Sequence, residues 1–206
     1  MTTKLRVLNL YAGIGGNRAL WDDDEYDVTA VEYNLQILDV YNKRFPRDKI
    51  WCGDAQQYLL DRFESFDVIW ASPPCPTHSR ARIARARGGA IAHKIPDMTS
   101  LYGIITFLDH FFEGIYIVEN VIPWYTPLIK PTVTLDRHHF WSNRPIAEQK
   151  FQREISSVCE TSVHLLPGYE FVKDARMNNK LRVLRNCCMP EVGKHVLSEV
   201  VKGLVK

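Results

Sequence analysis

Four short apolar runs alternate with helix-patterned stretches over the first third of the chain, and this alternation leaves few architectures open. Residues 5–11 (LRVLNLY), 27–32 (DVTAVE), 50–52 (IWC) and 68–71 (VIWA) are rich in branched and aromatic residues and too short for helices. Between them, residues 35–45 carry a helical period that stops at Pro46, and residues 55–63 place Tyr58, Leu59 and Phe63 on one side. A helix is also expected to start over 17–21. Strand and helix in strict succession predict an α/β fold with a mostly parallel sheet wound with helices. Downstream, 99–112 reads as a helix with Leu101, Ile104, Ile105, Leu108, Phe111 and Phe112 at i, i+3, i+4 spacing. Residues 115–121 (IYIVENV) and 135–141 read as strands, and 142–180 have little pattern. Pro190 opens a last helix with Val192, Val196, Leu197, Val200, Val201 and Leu204 on one face.

The chain has 206 residues, which suits one domain, and its net charge of +2 gives no global attraction for a polyanion. Any such attraction must be local. Residues 76–98 supply the candidate: Arg80, Arg82, Arg85, Arg87 and Lys94 stand there around Gly88-Gly89, with no acid before Asp97. A loop so long and so basic reads as a phosphate-tracking lid or as a solvated face. The five cysteines, Cys52, Cys75, Cys159, Cys187 and Cys188, are scattered and form no disulfide framework. They fit a reducing compartment, so a cytoplasmic location is expected. No leader-like apolar stretch opens the chain, and no run approaches the roughly 20 residues of a membrane helix. The histidines and cysteines lack metal-ligand spacing, so no metal centre is expected.

In open α/β sheets, ligands bind at the carboxyl ends of the strands. The first strand is followed by Ala12-Gly13-Ile14-Gly15-Gly16, where backbone can approach a ligand closely; a tight turn would look the same. Glu32 ends the second strand, roughly 20 residues on, where an acid can accept both ribose hydroxyls. Tyr33 beside it is placed to stack on adenine, and Asp54, after the third strand, to accept from an exocyclic amine. Together these strand ends fit an adenosine-type cofactor. After the fourth strand, Pro73-Pro74 ends the ladder and holds Cys75 on stiff backbone at the strand exit. Free cysteine is often simply buried, but this position reads as a nucleophile. Its thiol, near pKa ~8.5 when unperturbed, needs a positive neighbour, which the basic loop is expected to supply. Glu119 sits inside an apolar strand and needs a partner or a raised pKa. To donate a proton near neutrality, its pKa must rise by ~2 units from about 4.3; capping the next turn is the alternative role.

Four segments then fall into one known order. Residues 8–16 (LNLYAGIGG), 72–79 (SPPCPTHS), 119–121 (ENV) and 186–190 (NCCMP) with the helix after them resemble the cofactor loop, nucleophile motif, Glu-Asn-Val motif and C-terminal motif of cytosine-C5 methyltransferases. The resemblance implies the Rossmann-like fold of S-adenosylmethionine-dependent methyltransferases, with S-adenosylmethionine as cofactor, S-adenosylhomocysteine as product and a cytosine flipped out of DNA as target. It implies that Cys75 adds to C6 of the base and that Glu119 engages N3. It implies a cofactor pocket of Tyr11, Ala12, Gly13, Gly15, Gly16, Glu32, Tyr33, Asp54, Ala55, Ser72, Pro73 and Asn186. Ser79, Arg80, Arg82, Arg85 and Arg87 would meet nucleic acid, and Arg137 and His139 stand nearest the family's paired arginines beside the catalytic glutamate.

The departures are Asn9 for an acid, Asn17 for an aromatic, Pro76 for glutamine, and a stretch from Trp141 to Leu181 far shorter than the family's target-recognition region. The expected division is therefore 1–141 catalytic and cofactor-binding, 142–180 a reduced recognition segment, and 181–206 a segment returning to the catalytic part. Sequence reading is expected to be short, relaxed, or supplied by a dimer or accessory partner. The compact length resembles phage-encoded members and suggests a restriction-modification setting. Two rivals stand beside a DNA enzyme. One is an RNA cytosine-C5 methyltransferase; the other is an inactive binding module, which would need neither Cys75 nor Glu119.

Overall fold

The computed structural model describes residues 3–80, 96–152 and 175–204. Seven strands form one sheet: β1 (Leu5–Leu10), β2 (Tyr26–Glu32), β3 (Lys49–Cys52), β4 (Val68–Ala71), β5 (Ile115–Val121), β6 (Val133–Leu135) and β7 (His138–Ser142). Their order is β3-β2-β1-β4-β5-β7-β6. The first five run parallel, and β7 lies antiparallel to both β5 and β6. The helices are α1 (Leu35–Arg44), α2 (Ala55–Arg62), α3 (Ile104–Phe111), α4 (Lys180–Asn186) and α5 (Pro190–Val200). The mostly parallel α/β fold expected from the sequence is the fold observed.

Alternation along the buried strands sends side chains into two apolar layers. Val7, Val28, Trp70, Ile117 and Phe140 pack with Val192, Val196, Leu197 and Val200 of α5. Leu8, Leu10, Ile69 and Val118 pack with Leu59 of α2 and Ile104, Ile105 and Leu108 of α3. Asn34 and Asp54 cap α1 and α2, each accepting from two backbone N–H groups of the first turn. The register then fixes the site. Leu10 pairs with Val31 and with Ala71, and Ala71 pairs with Val118. The next residues, Tyr11, Glu32, Ser72 and Glu119, therefore emerge side by side along one sheet edge.

Three local expectations are corrected. Residues 17–21 form turns, not a helix, because the face beside β1 is already covered by α5. A Cβ on Gly193 of that helix would stand 2.3 Å from the Asn17 carbonyl oxygen. The Trp21 ring lies 5.6 Å from that of Trp70, and its Nε1 donates to the Gly193 carbonyl at 3.2 Å. The stretch 99–112 begins with a π-helical turn, Thr99–Gly103, before α3. The single strand over 135–141 is a hairpin, β6 and β7, broken at Asp136, whose φ is 52°.

Two departures noted in the sequence prove to be one feature. Asn17 Nδ2 donates to Asn9 Oδ1 at 2.9 Å, and both residues are buried. An acid at position 9 would need a cation there; the amide pair does not. Nearby, Arg18 is clamped by Asp48 through two hydrogen bonds of 2.9 Å. Among the described residues, no helix is long and apolar enough to cross a membrane.

Candidate active site

The shared sheet edge opens on a cavity of about 190 Å³. Tyr11, Ala12, Gly13, Gly16 and Asn17 line it from the glycine loop, Glu32 from β2, and Ser72, Pro73, Pro74 and Cys75 from the loop after β4. Glu119, Asn120 and Val121 line it from β5 and His138 from β7, while Arg182, Val183, Asn186, Cys187 and Cys188 close it from the C-terminal segment. That segment is anchored by Met177 and Leu184, which pack on Ile14 and on Val40 of α1.

Left-handed backbone shapes the glycine loop, with φ of 57° at Tyr11, 56° at Gly13 and 75° at Gly15. A Cβ on Gly15 would lie 2.3 Å from the Phe45 ring, so this glycine serves packing and does not reach the cavity. A Cβ on Gly13 would meet nothing within 4 Å, which leaves open space beside the loop. The Gly13 N–H donates to Glu32 Oε2 at 3.1 Å and the Asn34 N–H to Oε1 at 2.9 Å, so the carboxylate is fixed at both oxygens. Burial, then Asp54 and Asp97, push the Tyr11 hydroxyl up to about 12, so it stays protonated.

The nucleophile loop is tied from both sides. Asn120 Nδ2 donates to the Pro73 carbonyl at 2.9 Å, and Trp70 Nε1 donates to Ser72 Oγ at 3.0 Å. The Cys75 carbonyl accepts from the His78 and Ser79 N–H groups at 3.0 and 3.1 Å. His78 is buried against Tyr125, with Nδ1 2.5 Å from its hydroxyl. Cys75 Sγ lies 4.0 Å from Asn186 Oδ1.

The thiol is not activated in the way the sequence suggested. Burial, and after it the Glu119 charge, push Cys75 up to about 11, against a smaller lowering by its own backbone and by Arg137. Desolvation disfavours the thiolate, and a carboxylate neighbour repels it. Of the lid, Arg82, Arg85 and Arg87 lie outside the described residues; Arg80 donates from Nε to the Pro123 carbonyl at 3.2 Å. In the protein alone, Cys75 alkylation by iodoacetamide is therefore expected to keep accelerating well above pH ~8.5, where an unperturbed thiol levels off. Glu119→Gln removes the repelling charge and should shift the curve to lower pH. A plateau near pH ~8.5 in the unaltered chain would contradict the burial argument.

Glu119 is buried and does have a partner: His138 Nε2 stands 3.3 Å from Oε1. His139, the residue expected near the glutamate, points the other way. Glu119 pairs across the ladder with Phe140, so positions 138 and 140 share its face and 139 does not. His139 Nδ1 instead meets Thr134 Oγ1 at 2.8 Å; burial and then the Arg80 charge hold its ring below the usual histidine range. Arg137 lies outside the cavity wall and donates from Nη2 to the Arg185 carbonyl at 3.1 Å.

Other expected residues are also set apart. Tyr33 is 80% exposed, Ala55 is buried in the α2 layer, and Asp54 caps α2 beside a shallow cleft with Trp51 and Tyr58. Ser79 bridges to Pro123 outside the cavity wall. The sequence reading held Asn120 within its Glu-Asn-Val motif without a role, and missed His138 and Arg182. Strand parity would have found His138 once the β5–β7 register was known; nothing local marks Arg182. Among the described residues, no group of histidines, cysteines and acids is arranged to hold a metal ion.

Residues 5–121, which carry the glycine loop, Cys75 and Glu119, match the C-5 cytosine-specific DNA methylase family. The chain belongs to that family. The tRNA (cytosine(38)-C(5))-methyltransferase of Spodoptera frugiperda is 31% identical to this chain over 122 residues, covering 56% of this chain and 35% of that protein. The Homo sapiens protein of the same name is 36% identical over 81 residues, covering 37% and 21%. The chain thus spans about a third or less of the curated relatives it matches. A solved structure of a substituted Spodoptera frugiperda DNMT2 is 25% identical with a TM-score of 0.39, over 57% of this chain and 36% of that one. A methyltransferase from Agrobacterium tumefaciens, described as SAM-dependent, is 13% identical with a TM-score of 0.44, over 61% and 41%. S-adenosylmethionine is the methyl donor that belongs with this family. The residues fit it: open space at Gly13, an anchored carboxylate at Glu32, and polar Asn186 closing the same cavity.

Proposed function

We propose that this methylase transfers a methyl group from S-adenosylmethionine to C5 of cytosine in DNA. One observation carries the reading: the Cys75 thiol and the Glu119 carboxyl line a single cavity with the glycine loop and Glu32. When bound, S-adenosylmethionine supplies an electrophilic methyl carbon. Glu32, held by the Gly13 and Asn34 amides, accepts from the ribose hydroxyls, and Asn186 meets the methionine end. Cys75 Sγ adds to C6 of a flipped cytosine while Glu119 gives a proton to N3, which makes C5 nucleophilic. Asn120 holds the Pro73 carbonyl and so keeps the thiol loop against β5. Once C5 is methylated, its proton leaves and the thiol is eliminated. Arg80, with Arg82, Arg85 and Arg87, grips phosphates over the flipped base, and a second copy or accessory protein supplies sequence selection that a short recognition segment lacks.

RNA is the second reading, favoured by relatives whose names specify tRNA. The test is methyl transfer from labelled S-adenosylmethionine to duplex DNA and to tRNA, followed by digestion to nucleosides. Labelled 5-methyl-2′-deoxycytidine is expected. Label only in 5-methylcytidine would select RNA, and label in neither would leave a binding module.

A further inference from the structure

We infer that His138 is the positioning residue that balances the charge of Glu119, giving this chain a pH-dependent step where a permanently charged arginine would give none. The inference rests on the cytosine chemistry proposed above, but it concerns a residue that chemistry does not itself require.

The geometry is specific. His138 Nε2 and Glu119 Oε1 are 3.3 Å apart, with side chains 3% and 7% exposed. Ladder register fixes both on one face of adjacent strands, and both line the cavity that holds Cys75. The other titratable groups facing this space are Tyr11 from the glycine loop, Cys75 from the loop after β4, Glu32 from β2, and Arg182, Cys187 and Cys188 from the C-terminal segment. Arg137, at the β6–β7 turn, is turned toward the Arg185 carbonyl and sits 3.9 Å from Asp136. It acts on the thiol at a distance and does not line the cavity. His138, charged only when its ring is protonated, is thus the basic group in contact with Glu119 among the described residues.

Before the attack Cys75 gives its proton to water and the Glu119 carboxylate takes one from water; the thiolate then forms the S–C6 bond. The C5=C6 electron pair moves to C4–C5, and the C4=N3 pair comes to N3. The Glu119 O–H bond breaks as N3–H forms, so the negative charge that leaves sulfur ends on the glutamate. A carboxylate created in so buried a place is costly unless a cation or donor faces it. The His138 imidazolium supplies both a charge and an N–H donor; the neutral ring supplies at most the donor. After C5 has taken the methyl group, N3 returns its proton to Glu119. Transfer of the C5 proton to water and cleavage of C6–S then restore the C5=C6 bond of the base and the thiolate. The stabilisation weakens as the imidazolium deprotonates, a change that for histidine falls near neutral pH.

The test compares single-turnover methyl transfer by the unaltered chain, H138R and H138Q between about pH 6 and about pH 9, on whichever nucleic acid the unaltered chain methylates. Charge at position 138 also acts on the nearby thiol, so each profile is divided by the thiolate fraction read from iodoacetamide alkylation of the same variant, and the corrected ratios isolate position 138. The H138R to wild-type rate ratio should rise about tenfold across that range, and H138Q should be slow throughout and lack the alkaline decline. Parallel profiles would overturn the inference. A second measurement covers an arginine variant that fails to fold, or a chain that methylates nothing, which would sink the proposed function itself. In the free protein, the NMR titration midpoint of the His138 ring should fall by about one pH unit or more in E119Q, because the carboxylate that favours the imidazolium is gone. An unchanged midpoint overturns the inference independently of activity.

Discussion

Replacing Cys75 by alanine is expected to lower methyl transfer by about 10⁴-fold or more while leaving S-adenosylmethionine binding within about twofold. C5 of cytosine attacks an electrophile only after a nucleophile has added to C6, so without the thiol the reaction loses its first bond and not a fraction of its rate. Cys187 and Cys188 line the same cavity, but from the C-terminal segment beyond α4, not from the tied loop at the end of β4. The cofactor-side residues Gly13 and Glu32 touch neither Sγ nor its loop in the hydrogen bonds that hold them. Rapid-quench methyl transfer and calorimetric cofactor binding measure the two halves of the claim. A covalent adduct with DNA containing 5-fluorocytosine should form in the unaltered protein plus cofactor and be absent in Cys75→Ala, since fluorine at C5 blocks the elimination that frees the enzyme. Turnover retained in the variant would remove Cys75 from the role of nucleophile.

Arg18→Ala should be the most damaging change away from the cavity, costing about 3–5 kcal/mol of folding stability, a Tm drop on the order of 10 °C. The Arg18 and Asp48 side chains are each 3% exposed. The guanidinium holds both oxygens of Asp48, donates from Nη1 to the Trp21 carbonyl at 3.0 Å, pairs with Asp23, and lies over the Phe45 ring. Tyr41 donates its hydroxyl to Asp48 Oδ2 at 2.7 Å, and burial followed by the Asp48 charge pushes that phenol well above its usual range. Removing the arginine leaves a buried carboxylate facing little but a phenol. The damage reaches the site because Tyr41 and Phe45 of the same network press against Gly15. Arg6→Ala is the control: its pair with Asp67 is half-exposed and screened by water, so the same deletion should barely move the melting curve. Equal shifts for the two variants in thermal denaturation would show that burial is not what gives the Arg18 cluster its weight.

The strand-and-helix alternation was legible because it depends on neighbours within a few residues: apolar runs, Pro46 as a stop, Asn34 and Asp54 as caps. Pro-Pro-Cys at a strand exit and an acid inside an apolar strand marked Cys75 and Glu119 for the same reason. Their local chemistry is unusual wherever the chain goes. The sequence by itself therefore determined the parallel α/β frame, the strand ends at which the cavity opens, and two of the groups that line it, Cys75 and Glu119.

The tertiary structure decided what depends on register and on distant packing. Strand parity made His138, not His139, the neighbour of Glu119, because a β5–β7 pairing shifted by one residue would exchange them. Burial beside Glu119 raised the Cys75 thiol, although an arginine-rich loop follows it in sequence. The last helix, α5, took the sheet face where a helix over 17–21 was expected, and Asn17 turned inward to pair with Asn9. Each outcome is set by which surfaces meet across long stretches of chain, and by the free energy of removing charge from water where they meet. Neither quantity is written in any local run of residues.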